Sequence, residues 1–225
     1  PNNKPRGIPL MLVPLDQPGI TINKIDTMGG VPMGDERTNE VFIDDVFVPD
    51  EYVVGEVNSG FQYISQALDL ERFTMFTYSP IKQRLDVLCD HVRTETRDGE
   101  PLKDDPIVRQ RIAQLATEAE VARVMGLRVV AESMKADEVP GTPPPTVESS
   151  QYKLFATEFS KRLADASMDL GAPGTQLRVK TADAPMEGRA ESTYRYTVID
   201  TIGGGSSEIQ KNVIARRGLG LPKNF

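Results

Sequence analysis

The 225-residue chain is acidic and contains enough apolar residues to bury a core. Its formal net charge is -7, its pI is about 4.9, and 39% of its residues are hydrophobic. Nucleic acid and anionic lipid bind clustered lysines and arginines, so this composition disfavours both as partners. No apolar run approaches the roughly eighteen residues of a membrane span, and the N-terminus has no signal-peptide character. We therefore expect a globular, cytoplasmic protein without a membrane span.

The chain has a single cysteine, Cys89, and a single histidine, His91. One residue of each kind excludes an intrachain disulfide and any metal site built from several cysteines or histidines. Cys89 lies among apolar residues at helical spacing, which favours a place in the core. Two side chains two positions apart on a helix point in different directions, so Cys89 and His91 form a poor catalytic dyad. Catalysis would then depend on carboxylates or on a cofactor.

The first fifty or so residues alternate between short apolar runs and turn signals, which is typical of β structure. Turns are predicted at Asp16 to Gly19 and at Met28 to Gly30. The predicted strands are Ile8 to Val13, Ile20 to Ile25 and Glu40 to Val48. The last run does not alternate strictly, so it is either buried on both faces or broken by a bulge at its pair of aspartates.

From about Asn58 the apolar residues recur at helical spacing, which predicts a domain boundary. We assign residues 1–56 to the closing half of a β domain and residues 57–225 to an α-helical bundle domain. The first helix contains Phe61, Ile64 and Leu68, and Pro80 should break it. The fold class is therefore mainly α, with a bundle of four to six helices preceded by part of a β domain.

The remaining helices are predicted from periodicity and from their start and stop signals. Asp105 and Pro106 are typical of the start of a long helix, with the proline at the first helical position. The helix that contains Tyr152 is predicted to end at the segment from Gly171 to Gly174. A turn is predicted at Arg97 to Pro101. The predicted helical segments are Ile81 to Val92, Asp105 to Val129, Tyr152 to Ala166, Ala190 to Thr201, and a last one that follows Ser206.

Two segments carry candidate chemistry, each with an ordinary structural alternative. Gly203 to Glu208 could bind an anion at a helix start, although the local pattern favours a glycine-rich turn with a serine N-cap. Glu71 and Arg72 are adjacent charges on a helix and are typical of a solvated pair. If Glu71 instead faces a dry cleft, desolvation would raise the pKa of its carboxyl toward the range of a general base.

Three stretches, in order along the chain, resemble the acyl-CoA dehydrogenase family. The second and third stretches are Leu68 to Phe73, and Gly203 to Gln210 followed by Ile214 to Pro222. The first consists of Gly7-Ile8, Leu12-Val13-Pro14, Pro18-Gly19-Ile20, Glu40 to Pro49, and Val54-Gly55-Glu56. The resemblance covers essentially the whole chain. It implies the closing half of the family's middle β domain and its C-terminal helical bundle. It also implies a sequence cut within a larger protein, without the N-terminal helical domain.

The resemblance implies flavin-dependent α,β-desaturation of an acyl-CoA thioester. In this family a carboxylate removes the α-proton, the flavin of FAD takes the β-hydride at N5, and an electron-transfer flavoprotein accepts the electrons. Many members carry the base in a Tyr-Glu-Gly-Thr turn, where this chain has Gly204. A subgroup that includes the isovaleryl-CoA type carries it in a Leu-Asp-x-Glu-Arg context, which Glu71 matches. Glu71 is thus the implied catalytic base.

The remaining site residues are also implied by the resemblance. Substrate contacts are assigned to Asp69, Arg72, Gly203 and Gly204, and flavin contacts to Arg97, Gly171, Gly174, Ser206 and Glu208. The glycines at 203 to 205 leave room for a bulky acyl group. The chain departs from the family where Arg97 lacks the phenylalanine of an Arg-x-x-Phe-Gly motif. Met168 and Ala172 likewise replace a Gln and a Gly of a flavin-binding turn.

The resemblance leaves three functions open. The first is a homo- or hetero-tetrameric dehydrogenase that uses Glu71. The second is a non-catalytic partner subunit of a hetero-oligomeric acyl-CoA dehydrogenase, and the third is a flavin-dependent acyl-CoA oxidase on the same fold. In each case we expect the 225-residue chain alone to be inactive.

Overall fold

The computed structural model describes residues 7–25, 27–28, 38–74 and 78–222, and the side chains at 69–70 and 72–74 lie outside this description. The chain forms two compact units, the first of Pro1–Thr27 with Gly34–Glu71 and the second of Met28–Met33 with Arg72–Phe225. The fold is mainly α, with a small β structure ahead of a helical bundle, as the sequence predicts. No helix in the described ranges is long and apolar enough to cross a membrane.

The first unit contains one antiparallel strand pair. Strand β1 (Ile20–Ile25) pairs with β2 (Thr38–Ile43) in a register that runs from Ile20 opposite Ile43 to Ile25 opposite Thr38. The second predicted strand is confirmed. The third stops as a strand at Ile43, because Asp45 takes a left-handed conformation, with φ of 48°, and interrupts the extended backbone.

The run from Ile8 to Val13 forms no regular strand, so that prediction was wrong. It makes only isolated bridges, from Ile8 to Ser59 and from Met11 to Val53. These partners lie more than forty residues further along the chain, and local alternation cannot reveal such a pairing. The predicted turn at Met28 to Gly30 falls mostly outside the described residues.

Six α-helices form the described helical structure. Their bounds are α1 Gly60–Thr74, α2 Tyr78–Thr94, α3 Pro106–Glu138, α4 Thr146–Leu170, α5 Arg189–Asp200 and α6 Ser207–Val213. The predicted helices are confirmed, although α2 begins earlier than predicted and α3 and α4 extend beyond their predicted bounds. Helix α2 begins before Pro80 because a proline is tolerated in the first turn, where backbone N–H groups have no intrahelical acceptor.

Helix α3 is the longest element, at about 50 Å for a rise of about 1.5 Å per residue. Its N-cap is Asp105, whose carboxylate accepts hydrogen bonds from the backbone N–H groups of Ile107 at 2.7 Å and Val108 at 3.3 Å. Between α2 and α3 lies a short hairpin, β3 (Thr96–Arg97) with β4 (Glu100–Pro101). Its turn residues, Asp98 and Gly99, have positive φ, and the turn predicted there is confirmed.

The hydrophobic core lies between α2, α3 and α4, which pack against one another. Cys89 is half-buried and packs on this core, as its spacing predicts. Burial raises the pKa of the Cys89 thiol, so the thiol is not an activated nucleophile. The buried members are Ile81, Leu85, Leu88, Val92, Leu102, Val108, Leu115, Ala119, Ala122, Val129, Tyr152, Ala156, Phe159, Leu163, Ala166 and Leu170.

Candidate active site

Glu71 lies on α1, and its side chain is half-buried. Leu68, one turn earlier on the same helix, is 42% exposed, so this part of α1 presents an apolar residue and a carboxylate close together. The side chains of Asp69 and Arg72 lie outside the described residues. Their assignment to substrate binding stays a prediction from the sequence, as does the role of Glu71.

The turn from Gly203 to Ser206 connects α5 to α6 and contains the other candidate substrate residues. Gly204 and Gly205 have φ of 64° and 97°, a region that L-residues with a side chain rarely adopt. Gly203 has no positive φ, and the nearest atom to a Cβ built on it is the Ile199 carbonyl oxygen at 3.5 Å. Conformation therefore explains two of the glycines, and Gly203 leaves space beside the backbone.

Two buried side chains hold this turn from the inner side. Lys153 of α4 donates from Nζ to the Gly205 carbonyl at 2.8 Å. Gln210 of α6 donates from Nε2 to the carbonyls of Gly204 at 2.9 Å and Gly205 at 3.1 Å. Both side chains are fully buried, with 0% exposure.

The ammonium of Lys153 lies in a strongly desolvated place. Burial lowers the pKa of Lys153, while the carboxylates of Asp200, Glu158 and Glu208 act in the opposite direction. Sequence reasoning missed this residue, because a lysine in a helix is ordinarily solvated. The available signal is the set of small residues at helical spacing around it, Ser149, Ala156 and Ser160, which gives α4 a second buried face.

The start of α6 brings Ser206 and Glu208 together and satisfies its own backbone donors. The Ser206 hydroxyl accepts from the Ile209 N–H at 3.4 Å, and the Ser207 N–H donates to the Thr201 carbonyl at 3.0 Å. A hydrogen bond from its own backbone N–H, with another from Ser206, holds the pKa of the exposed Glu208 carboxylate below its usual value. These contacts favour the capped glycine turn over a vacant anion site.

Arg97 and the glycines at 171 and 174 form a second group, at the other end of α4. The Arg97 guanidinium donates from Nη2 to the carbonyls of Leu170 at 2.9 Å and Asp169 at 3.4 Å. These carbonyls are among the last of the helix, where acceptors have no intrahelical donor and a positive charge is favourable. Arg97 therefore caps α4 and remains exposed to solvent.

The chain's own side chains fill the space beside both glycines of this group. A Cβ on Gly171 would lie 2.4 Å from Thr175 Cγ2, and one on Gly174 would lie 2.8 Å from Pro185 Cγ. Internal packing thus accounts for both glycines. Of the five residues assigned to flavin, Arg97, Ser206 and Glu208 carry polar groups, whereas the two glycines do not expose open backbone on their Cβ side.

The five residues assigned to flavin do not form one compact site within the chain. Lys153, which contacts the Gly203–Ser206 turn, and Leu170, which accepts from Arg97, are about 26 Å apart along α4 at about 1.5 Å per residue. Ser206 and Glu208 lie near the first position, while Arg97, Gly171 and Gly174 lie near the second.

Comparison with known proteins identifies the class to which this bundle belongs. Residues 58–219 match the family model described as "Acyl-CoA dehydrogenase, C-terminal domain". Acyl-CoA dehydrogenase FadE26 of Mycobacterium tuberculosis is 29% identical over 98% of this chain and 53% of its own length. Acyl-CoA dehydrogenase IpdE1 of Mycolicibacterium smegmatis is 32% identical over 96% of this chain and 50% of its own.

The fold agrees with the sequence match. A chain of the ChsE4-ChsE5 complex from Mycobacterium tuberculosis superimposes with a TM-score of 0.84 at 27% identity, over 98% of this chain and 54% of that one. An acyl-CoA dehydrogenase from Geobacillus kaustophilus superimposes with a TM-score of 0.82 at 27% identity, over 96% of this chain and 53% of that one. This chain belongs to the acyl-CoA dehydrogenase family, and it spans about half the length of the relatives that it matches.

Proposed function

We propose that this chain is the C-terminal part of a flavin-dependent acyl-CoA dehydrogenase that introduces an α,β double bond into an acyl-CoA thioester. The supporting observation is the family match over residues 58–219, which contains both Glu71 and the Gly203–Ser206 turn. Cys89 packs on the core and burial raises the pKa of its thiol, so the proposal assigns proton removal to a carboxylate and hydride transfer to a bound cofactor.

In this proposal Glu71 removes the α-proton of the substrate. Gly204, which occupies the position of the more common base, has no side chain, and its φ of 64° disfavours one. Glu71 is a half-buried carboxylate on the first bundle helix, where the isovaleryl-CoA type carries its base. A general base also has to lie within hydrogen-bond reach of the proton that it takes, a condition that the complete substrate pocket must meet.

FAD, when bound, supplies the acceptor for the β-hydride and hands the electrons to an electron-transfer flavoprotein. Ser206 and Glu208 would contact a flavin beside the Gly203–Ser206 turn, and Arg97 would contact a flavin near the C-terminal end of α4. Because the turn contacts Lys153, about 26 Å along α4 from Leu170, which accepts from Arg97, we propose that the two groups contact two different flavins in an oligomer. The likeness to one chain of a two-protein complex supports an oligomeric assembly, which we propose is a homo- or hetero-tetramer.

Replacement of Glu71 by Gln in the complete protein tests the proposal. The variant removes the base but keeps the volume and a polar amide, so it should retain flavin absorbance and lose turnover of acyl-CoA by about 10² to 10⁴-fold. Glu51→Gln is the matched control, since Glu51 is an exposed carboxylate in the same unit. Wild-type turnover in the Glu71 variant, measured with a panel of acyl-CoA esters and an artificial electron acceptor, would contradict the role of Glu71.

A second candidate is a non-catalytic partner subunit in a hetero-oligomeric acyl-CoA dehydrogenase. Two observations favour it: the altered flavin turn, in which side chains fill the space beside Gly171 and Gly174, and the likeness to a chain of a two-protein complex. A visible spectrum of the purified complete protein separates the candidates, because a protein without flavin absorbance would support the partner role. Peroxide production in air would instead indicate an oxidase.

A further inference from the structure

A cluster of buried and half-buried polar groups lies between the Gly203–Ser206 turn and α4. Its members are Lys153, Glu158, Ser207 and Gln210, all with side chains that reach across elements or back to the turn. Besides the three hydrogen bonds to the glycine carbonyls, the Ser207 hydroxyl donates to Glu158 Oε1 at 2.6 Å. Two of these bonds join the turn and α6 to α4, and the two from Gln210 join α6 to the turn.

Such a cluster is costly as a means of stabilisation alone. Moving an ammonium out of water carries a free-energy penalty that its partners must offset, and apolar residues of similar volume often stabilise a core as well or better. A buried lysine whose Nζ donates to a backbone carbonyl does, however, select one orientation of that carbonyl. The contacts of Lys153 thus specify a conformation of the turn.

The turn needs such specification because of its glycines. Glycine populates positive and negative φ about equally, so successive glycines allow the peptide groups between them to rotate at little energetic cost. Rotation of the Gly204 carbonyl breaks one hydrogen bond from Gln210. Rotation of the Gly205 carbonyl breaks bonds from both Lys153 and Gln210. Two fully buried side chains from different helices therefore oppose rotation of both carbonyl groups.

We propose that Lys153 and Gln210 are positioning residues that hold the Gly203–Ser206 turn in its ligand-receiving conformation. The proposal rests on the proposed function, in which this turn contacts substrate and flavin. Lys153 and Gln210 touch neither ligand and act through the backbone of Gly204 and Gly205. Loss of Lys153 removes one of the two bonds to the Gly205 carbonyl, and loss of Gln210 removes the other and frees the Gly204 carbonyl. In either case α2, α3 and most of α4 keep their packing.

The test compares Lys153→Met and Gln210→Met with Lys161→Met in the complete protein. Lys161 lies on the same helix and is exposed, so its replacement controls for the loss of a lysine. Amide hydrogen exchange of residues 203–207 should become about tenfold faster or more in the first two variants, with α2 and α3 unchanged. Their KM for acyl-CoA should rise by about tenfold or more, or their flavin content should fall, while Lys161→Met keeps wild-type values.

The possible results distinguish a failure of the positioning role from a failure of the proposed function. Unchanged exchange at residues 203–207 would overturn the positioning role, whatever the activity of the wild-type protein. Faster exchange with unaltered KM and flavin content in an active enzyme would also overturn it. In that case the conformation of the turn would not affect ligand binding. Absence of flavin and of acyl-CoA turnover in the wild-type protein would count against the proposed function instead. If Lys153→Met does not fold, Gln210→Met decides, because it removes two of the three bonds to the carbonyls without unpairing a charge.

Discussion

The three consecutive glycines of the Gly203–Ser206 turn serve different purposes. Gly204 and Gly205 take positive φ, and a Cβ on Gly205 would also lie 2.7 Å from Gln210 Nε2. Gly203 has neither constraint. From the sequence, all three suggest room for a bulky acyl group, but the backbone conformation assigns that freedom to Gly203 alone. The other two are required by the shape of the turn.

This difference predicts unequal effects of alanine at two neighbouring positions. Gly204→Ala should destabilise the protein by about 1–2 kcal/mol, because an L side chain is strained in the left-handed region. Gly203→Ala, the matched control, should stay within about 0.5 kcal/mol, since its Cβ meets the Ile199 carbonyl at ordinary contact distance. Urea unfolding of both variants measures the free energies. Equal destabilisation at the two positions would contradict the argument.

The environment of His91 leads us to expect that the free energy of unfolding depends on pH. Burial lowers the pKa of His91, Arg97 adds to that effect, and Glu95 opposes it. Because the folded state resists a proton that the unfolded chain accepts below about pH 6.5, the contribution of His91 is present at neutral pH and is lost as the pH falls. His91→Gln should therefore lose less stability than the wild type between about pH 7.5 and about pH 5.5. Equal losses in urea midpoint would show that His91 does not contribute.

Part of the candidate site could be predicted from residue identities. Glu71 and the absence of a carboxylate at Gly204 can be recognised by comparing the sequence with the family motifs. The positive φ of Gly204 then explains why a glycine is favoured at that position. Lys153 could not be found in that way. Its burial arises because α4 packs against both α5 and α6, and a lysine in a helical pattern is read as solvated until those contacts are known.

At the scale of elements, the helices were predictable because their ends are marked locally. Asp105 followed by Pro106 indicates the start of α3, and Gly171 indicates the end of α4. The Ile8 to Val13 run failed for the opposite reason, because its partners, Val53 and Ser59, are remote in sequence. Local signals fix helices well, whereas strand pairing depends on contacts that periodicity does not encode.

The N-cap of α3 provides a quantitative check on this reasoning. Asp105→Ala removes an acceptor for two backbone N–H groups and should cost about 0.5–2 kcal/mol of stability. Asp105→Asn keeps a capping oxygen and should cost only a small part of that. Asp104→Ala is the control, since Asp104 is an adjacent exposed aspartate. Thermal and urea unfolding would contradict the cap if Asp104→Ala and Asp105→Ala proved equivalent.

At the scale of the whole molecule, the two units differ in how much apolar surface they bury. Every described member of the hydrophobic core lies between Ile81 and Leu170, in the second unit. In the first unit, apolar side chains on strand and helix remain largely exposed, among them Phe42 at 50% and Phe61 at 51%. A two-stranded hairpin has little independent stability in water. Most of the stability from apolar burial therefore comes from the helical unit.

This asymmetry predicts which part of the chain folds by itself. A polypeptide of residues 78–222 should unfold cooperatively with heat, as followed by helical circular dichroism, because it contains the complete described core. Residues 1–71 alone should show no cooperative transition. Leu88→Ala supplies the internal control: Leu88 has 0% exposure, so its truncation should cost about 2–5 kcal/mol equally in residues 78–222 and in the full chain. A non-cooperative transition for residues 78–222, or a smaller effect of Leu88→Ala there, would mean that the helical unit draws part of its stability from the preceding residues.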